Sequence, residues 1–133
     1  MPRHTAVVDL NQAMVTTTDL VAARSFYALL GLRLIVETDD YLRFECPDGH
    51  ATFSVERAPE DHRPGSATVY FECADLDDEV ARLEAAGVAF DHPPVDQAWL
   101  WREARLRDPA GNQICLYWAG PNRTHPPWRL EPD

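Results

Sequence analysis

Three glutamates on strand-like segments, Glu56, Glu72 and Glu103, are the side chains in this sequence with the most chemistry to offer. A carboxylate set against an acidic C–H bond can act as a general base, and Arg43 or Arg105 could partner one of them. The same pairing is equally a cross-strand ion pair with no catalytic role. Trp99 and Trp101 precede Glu103 in alternation and could stack on a planar or cationic group, or fill a subunit interface. Nucleophile and metal chemistry have less support. Cys46, Cys73 and Cys115 are odd in number with no close pair, which argues against a disulfide framework and a thiolate zinc site. Cys115 reads first as a small buried hydrophobe, because no histidine is expected nearby to activate it. His4 and His125 fall in terminal arms, His50 in a turn, His62 in a linker and His92 just after a strand. None occupies an inward-facing strand position.

The elements that must position these residues are written twice. "DLVAARSFYALLGL" from Asp19 and "DLDDEVARLEAAGV" from Asp75 each open on Asp-Leu and reach a glycine, Gly31 and Gly87, at the same spacing. Ala23, Phe26, Tyr27 and Leu30 form one helical stripe; Leu76, Val80, Leu83 and Ala86 form the other. Asp19 and Asp75 suit N-caps, and each glycine suits a left-handed helix stop. Strand-like segments flank each helix: Gln12 to Thr18, "LRLIVET", "YLRFEC" and "ATFSVE" around the first, and Ala67 to Cys73, "VAFDH", "WLWREARLR" and "NQICLYW" around the second. "PDGH" and "DPAGN" supply the turns. The unit is strand, helix, strand, strand, strand. Module one covers about 10–57, a Pro/Gly linker 57–66, module two about 67–118 and a Pro-rich tail 119–133, all within a single 1–133 domain.

Period-two alternation then sorts side chains by face. Gln12, Met14, Thr16 and Thr18 share one face, as do Thr52, Ser54 and Glu56, and Tyr41, Arg43 and Glu45. In the second module Thr68, Tyr70 and Glu72 go with Trp99, Trp101, Glu103, Arg105 and Arg107, and with Gln113, Cys115 and Tyr117. The opposite faces carry the residues that should pack under the helices.

Bulk properties exclude some functions. A formal net charge of −10 is wrong for a phosphate-backbone partner. The apolar runs are too short for a membrane span and the first dozen residues do not read as a signal peptide, so a cytoplasmic protein is expected.

The paired βαβββ units, the first helix motif "DLVAARSFYALLG" and the "DPAGN" turn resemble the vicinal oxygen chelate superfamily, which includes glyoxalase I, bleomycin-resistance proteins and extradiol dioxygenases. The resemblance covers Gln12 to Trp118 and implies an α+β fold of two βαβββ modules whose curled sheets form a cleft, often in a homodimer. In metal-dependent members four strand residues hold a divalent ion. Carried onto this chain, those positions are Gln12, Ser54, Thr68 and Cys115, and one amide, two hydroxyls and a thiol would hold such an ion poorly. The expectation is therefore a bleomycin-resistance-like protein with no cofactor, binding a small molecule through Gln12, Met14, Ser54, Thr68, Tyr70, Trp101, Arg105, Cys115 and Tyr117. The alternative is a glyoxalase-like lyase, isomerase or dioxygenase with a non-standard divalent metal site, or with Glu56, Glu72 or Glu103 as base.

Overall fold

In the computed structural model, which describes residues 8–61 and 63–130, the chain divides between residues 62 and 63, inside the expected linker. In unit 1, β1 (Gln12–Thr17), α1 (Leu20–Leu29), β2 (Arg33–Glu37), β3 (Tyr41–Glu45) and β4 (Thr52–Arg57) make a mixed sheet of order β1-β4-β3-β2. In unit 2, β5 (Thr68–Glu72), α2 (Leu76–Ala85), β6 (Val95–Asp96), β7 (Arg102–Arg107) and β8 (Gln113–Trp118) repeat that plan as β5-β8-β7-β6. In each unit the first and last strands run parallel and the remaining pairings are antiparallel.

Local chemistry explains both helices. The Asp19 carboxylate accepts from the Ala22 N–H at 3.0 Å, closing the first turn of α1. Asp75 stands at the same place before α2 but makes no such bond. That helix instead carries Asp77, Asp78 and Glu79 in its first turn, where negative charge opposes the helix dipole. Gly31 and Gly87, at φ 95° and 97°, end the two helices in the left-handed conformation expected of them. Below α1, Leu20, Ala23, Phe26 and Tyr27 are buried with Leu42, Phe44, Phe53 and Val55 of the sheet. The Tyr27 ring lies 4.6 Å from Phe53 and 5.9 Å from Phe44. Below α2, Leu76, Val80 and Leu83 are buried with Ala104, Leu106, Ile114 and Leu116. The stripes are shorter than expected at their ends: Leu30 is half-buried and Ala86 is exposed.

Two strands depart from the sequence expectation. "VAFDH" contributes only the isolated bridge Phe90↔Leu106, and the edge strand forms later, at Val95–Asp96. Pro93 and Pro94 have no N–H to offer a ladder, so regular pairing resumes only after them. The segment "WLWREARLR" becomes strand at Arg102 rather than Trp99, because Leu100 sits at φ 67°. The backbone closes there through Leu100 N–H to Gln97 O at 3.0 Å and Gln97 N–H to Trp101 O at 2.8 Å. Among the described residues Leu100 is the non-glycine residue with positive φ, a strained conformation at the bend between two tryptophans.

Candidate functional site

The turn "DPAGN" sets the register on which the unit 2 site depends. Asp108 Oδ1 accepts from the Ala110 and Asn112 N–H groups at 3.0 and 2.9 Å, and Oδ2 from the Asn112 amide at 2.9 Å. This fixes β7 against β8 with Arg105 opposite Cys115 and Glu103 opposite Tyr117. The parallel neighbour β5 then places Tyr70 beside Cys115 and Glu72 beside Tyr117.

On that face Trp101 stacks on Tyr117 with ring centroids 4.6 Å apart and planes 21° apart. Tyr70 meets both rings edge-on, at 5.9 Å to Trp101 and 5.6 Å to Tyr117. Beneath them Cys115, Tyr117 and Ala119 form a small buried cluster on which Trp101 packs. Tyr70 and Trp99 remain 43% and 45% exposed, so the aromatic surface is partly open to solvent. Arg105 donates to the Tyr70 hydroxyl at 3.0 Å, with its guanidinium 5.7 Å from the Tyr70 ring centre. It also reaches Glu103 at 3.5 Å. With Pro64, Gly65, Leu106, Arg107 and Ile114 it borders a pocket of about 330 Å³, which Tyr70, Trp101 and Tyr117 do not line.

The three candidate glutamates separate by surroundings. Glu103 is 1% exposed and accepts from the Trp99 indole at 3.0 Å as well as facing Arg105. Glu72 is used by the backbone: its Oε2 accepts from the Ala119 and Gly120 N–H groups, each at 2.9 Å, at the start of the 3-10 turn Gly120–Arg123. Arg123 lies 3.8 Å from its other oxygen. Glu72 thus caps the turn that leads into the tail, and the Trp101 indole reaches the Asn122 carbonyl in the same turn at 3.5 Å. Glu56 is exposed, opposite Tyr41. Replacing Glu72 with alanine should lower stability by about 1–2 kcal/mol, as losing a cap does, and speed hydrogen exchange at Ala119 and Gly120.

In unit 1 the candidate residues satisfy one another. Gln12 donates to the Ser54 hydroxyl at 2.6 Å and accepts from Thr52, while Ser54 and Tyr41 share a hydrogen bond at 2.6 Å. Arg43 donates to the Tyr41 hydroxyl at 2.8 Å. Ser54 is fully buried; Met14, its neighbour across the strand pair, is 51% exposed. The Ser54 hydrogen bond and Arg43 hold the Tyr41 phenol below its ordinary value, against the opposing effect of burial.

The residues at the four family metal positions do not fit a divalent ion. Both ends of the Gln12 amide are engaged, and the Ser54 hydroxyl lies between Gln12 and Tyr41. Thr68 is a neutral hydroxyl in register with Gln113. Burial, and after it the Glu103 carboxylate, push the Cys115 thiol from 9.0 up to about 12, so it keeps the proton a ligating sulfur must lose. Among the described residues no group of three His, Cys, Asp or Glu side chains could hold an ion. His92 lies beside the Pro93 carbonyl and His125 beside Thr124; His4 and His62 lie outside the described residues.

The Cys115 surroundings make a prediction. In the native protein it should resist iodoacetamide at about pH 8 and react once unfolded. Because the folded thiol holds its proton to higher pH than the unfolded one, its contribution to stability is complete below pH 9.0 and is lost as pH rises toward about 12.

The comparisons agree with the fold. The family model of the Glyoxalase/Bleomycin resistance protein/Dioxygenase superfamily matches residues 9–116. The chain belongs to that superfamily. An uncharacterized protein of Mycolicibacterium smegmatis (strain ATCC 700084 / mc(2)155) is 31% identical over 110 residues, covering 82% of this chain and 92% of the relative. Among solved structures, a glyoxalase/bleomycin resistance protein/dioxygenase from Nocardioides is similar with a TM-score of 0.75 at 22% identity, over 96% of this chain and 93% of that one. TnmS3, an antibiotic binding protein from Streptomyces sp. CB03234, is similar with a TM-score of 0.74 at 26% identity, over 87% and 99%. Superfamily membership fixes the α+β fold of two mixed four-stranded sheets with two helices. No helix among the described residues is long and apolar enough to cross a membrane.

Proposed function

We propose that this superfamily member binds a small organic molecule without a metal, on the aromatic face of unit 2, and sequesters or carries it unchanged. The observation that supports this most is the half-open Tyr70–Trp101–Tyr117 cluster, a stacking surface edged by the Arg105–Glu103 pair. Apolar walls with few convergent polar groups are the usual make-up of such sites. The likeness to an antibiotic binding protein at 26% identity points the same way. Two of the candidate bases have structural work already, Glu72 as a cap and Glu103 as a buried counter-ion, which favours binding over proton abstraction. We also propose a cytoplasmic homodimer. Three free cysteines suit a reducing compartment, and the exposed Trp118 and Trp128 suit an interface.

The test is tryptophan emission titrated with a panel of planar antibiotics, with and without chelator, beside thermal melting. Saturable quenching and a raised melting temperature, both indifferent to chelator, are expected. A panel that moves neither signal, or a response that needs added metal, would overturn the reading. Sedimentation velocity decides the dimer.

A further inference from the structure

We propose that unit 1 carries an oxyanion-binding site, formed by the Tyr41 hydroxyl and the Arg43 guanidinium, that takes a carboxylate or phosphate group. It goes beyond the aromatic face of unit 2, and either can fail alone.

The internal repeat supplies the argument. Strand register aligns Arg43 with Arg105, since each is paired with the small buried residue of the last strand of its unit, Ser54 or Cys115. The same register aligns Tyr41 with Glu103, opposite Glu56 and Tyr117. In unit 2 the buried Glu103 carboxylate therefore stands 3.5 Å from its arginine and balances the charge. In unit 1 a neutral phenol occupies that position. Arg43 forms no ion pair among the described residues, and the nearby Glu45 is taken by Arg33 at 3.3 Å. One arginine of the duplicated pair has its counter-ion built in; the other has none.

Counting hydrogens adds a second donor. Ser54 is fully buried and already accepts from Gln12, so its own hydrogen must go to Tyr41, the one other partner in bonding distance among the described residues. The Tyr41 oxygen then accepts from both Ser54 and Arg43 Nε. Its own O–H is left to donate outward, on a partly exposed residue beside an exposed guanidinium whose two terminal nitrogens make no hydrogen bond among the described residues. A charged N–H donor beside a polarised O–H donor, the two groups 2.8 Å apart, matches an oxygen anion. Glu56 is the remaining charge on this face, and it opposes an anion there.

The experiment titrates the ¹⁵N-labelled full chain with benzoate, with its neutral isostere benzamide, and with inorganic phosphate. It follows the side-chain Nε–H signal that vanishes in Arg43→Gln. Benzoate or phosphate should shift that signal saturably, and benzamide should bind at least about tenfold more weakly. Benzoate alone assigns the site to organic carboxylates, phosphate alone to phosphates. Tyr41→Phe should weaken the anion about tenfold and Glu56→Gln should tighten it, with backbone amide spectra confirming that each variant is folded. Equal binding of benzoate and benzamide, no shift with either anion, or unchanged affinity in Tyr41→Phe would overturn the proposal. The wild-type comparison decides even if a variant does not fold. Failure here leaves the unit 2 titration with antibiotics untouched.

Discussion

Arg105→Met should destabilise the protein by about 2–3 kcal/mol at neutral pH, because among the described residues it leaves the buried Glu103 carboxylate with the Trp99 indole as its one side-chain partner. The value sits below the usual range for breaking a buried pair for two reasons. The contact is long at 3.5 Å, and the arginine side chain is 35% exposed. The cost arises from stranding a charge rather than from losing a bond, so removing both partners should recover most of it. The double variant Glu103→Leu/Arg105→Met is expected to be more stable than Arg105→Met alone. Urea unfolding of the four proteins in that cycle measures the effect. Additive losses would show that Glu103 and Arg105 do not act as a pair, and the contrast with Arg43 would lose its basis.

Trp101→Ala is the second large effect. It removes the ring stacked on Tyr117, opens the small core of Cys115, Tyr117 and Ala119, and severs the link to Asn122. Trp101 is half-buried, so the loss should lie near the lower end for a large-to-small core change, about 3 kcal/mol. Affinity for a planar ligand should fall by about tenfold or more, since stacked aromatic contacts are worth about 0.5–1.5 kcal/mol beyond their area. Trp101→Phe keeps a stacking ring and should retain most of the stability and part of the binding. Hydrogen exchange at 119–123 should rise in both variants, since neither keeps the indole N–H that reaches Asn122, and rise further in the alanine variant, which also loses the stack on Tyr117. A Trp101→Ala protein that binds the planar panel as the wild type does would remove the aromatic face from the proposed function.

The sequence reading and the structure agree where the signal is local. Asp19 and the two glycines mark helix ends by chemistry that acts within one turn. Alternation sorted β7 and β8 correctly, so Glu103, Arg105, Cys115 and Tyr117 share a face and Ala104, Leu106, Ile114 and Leu116 face the helix. The same local rules failed where backbone exceptions intervene. Two prolines postponed β6, and positive φ at Leu100 delayed β7. Which candidate side chains share a strand face was legible, and what each of them bonds was not. Glu72 lies on the face where alternation put it, but its function as a cap depends on N–H groups 47 and 48 residues later. The Gln12–Ser54 bond spans 42 residues, and the Trp101–Tyr117 stack depends on the register that the Asp108 turn imposes. Residue types predict a donor or a ring; only the fold says which partner has already taken it.

Elemental analysis of the purified protein after equilibrium dialysis against zinc, nickel, iron and manganese, followed by metal-free buffer, tests the central claim most directly. The hydrogen-bonded Gln12 and Ser54, the hydroxyl of Thr68 and the protonated thiol of Cys115 predict no metal retained above trace. One ion held per chain, released only by a strong chelator, would contradict it.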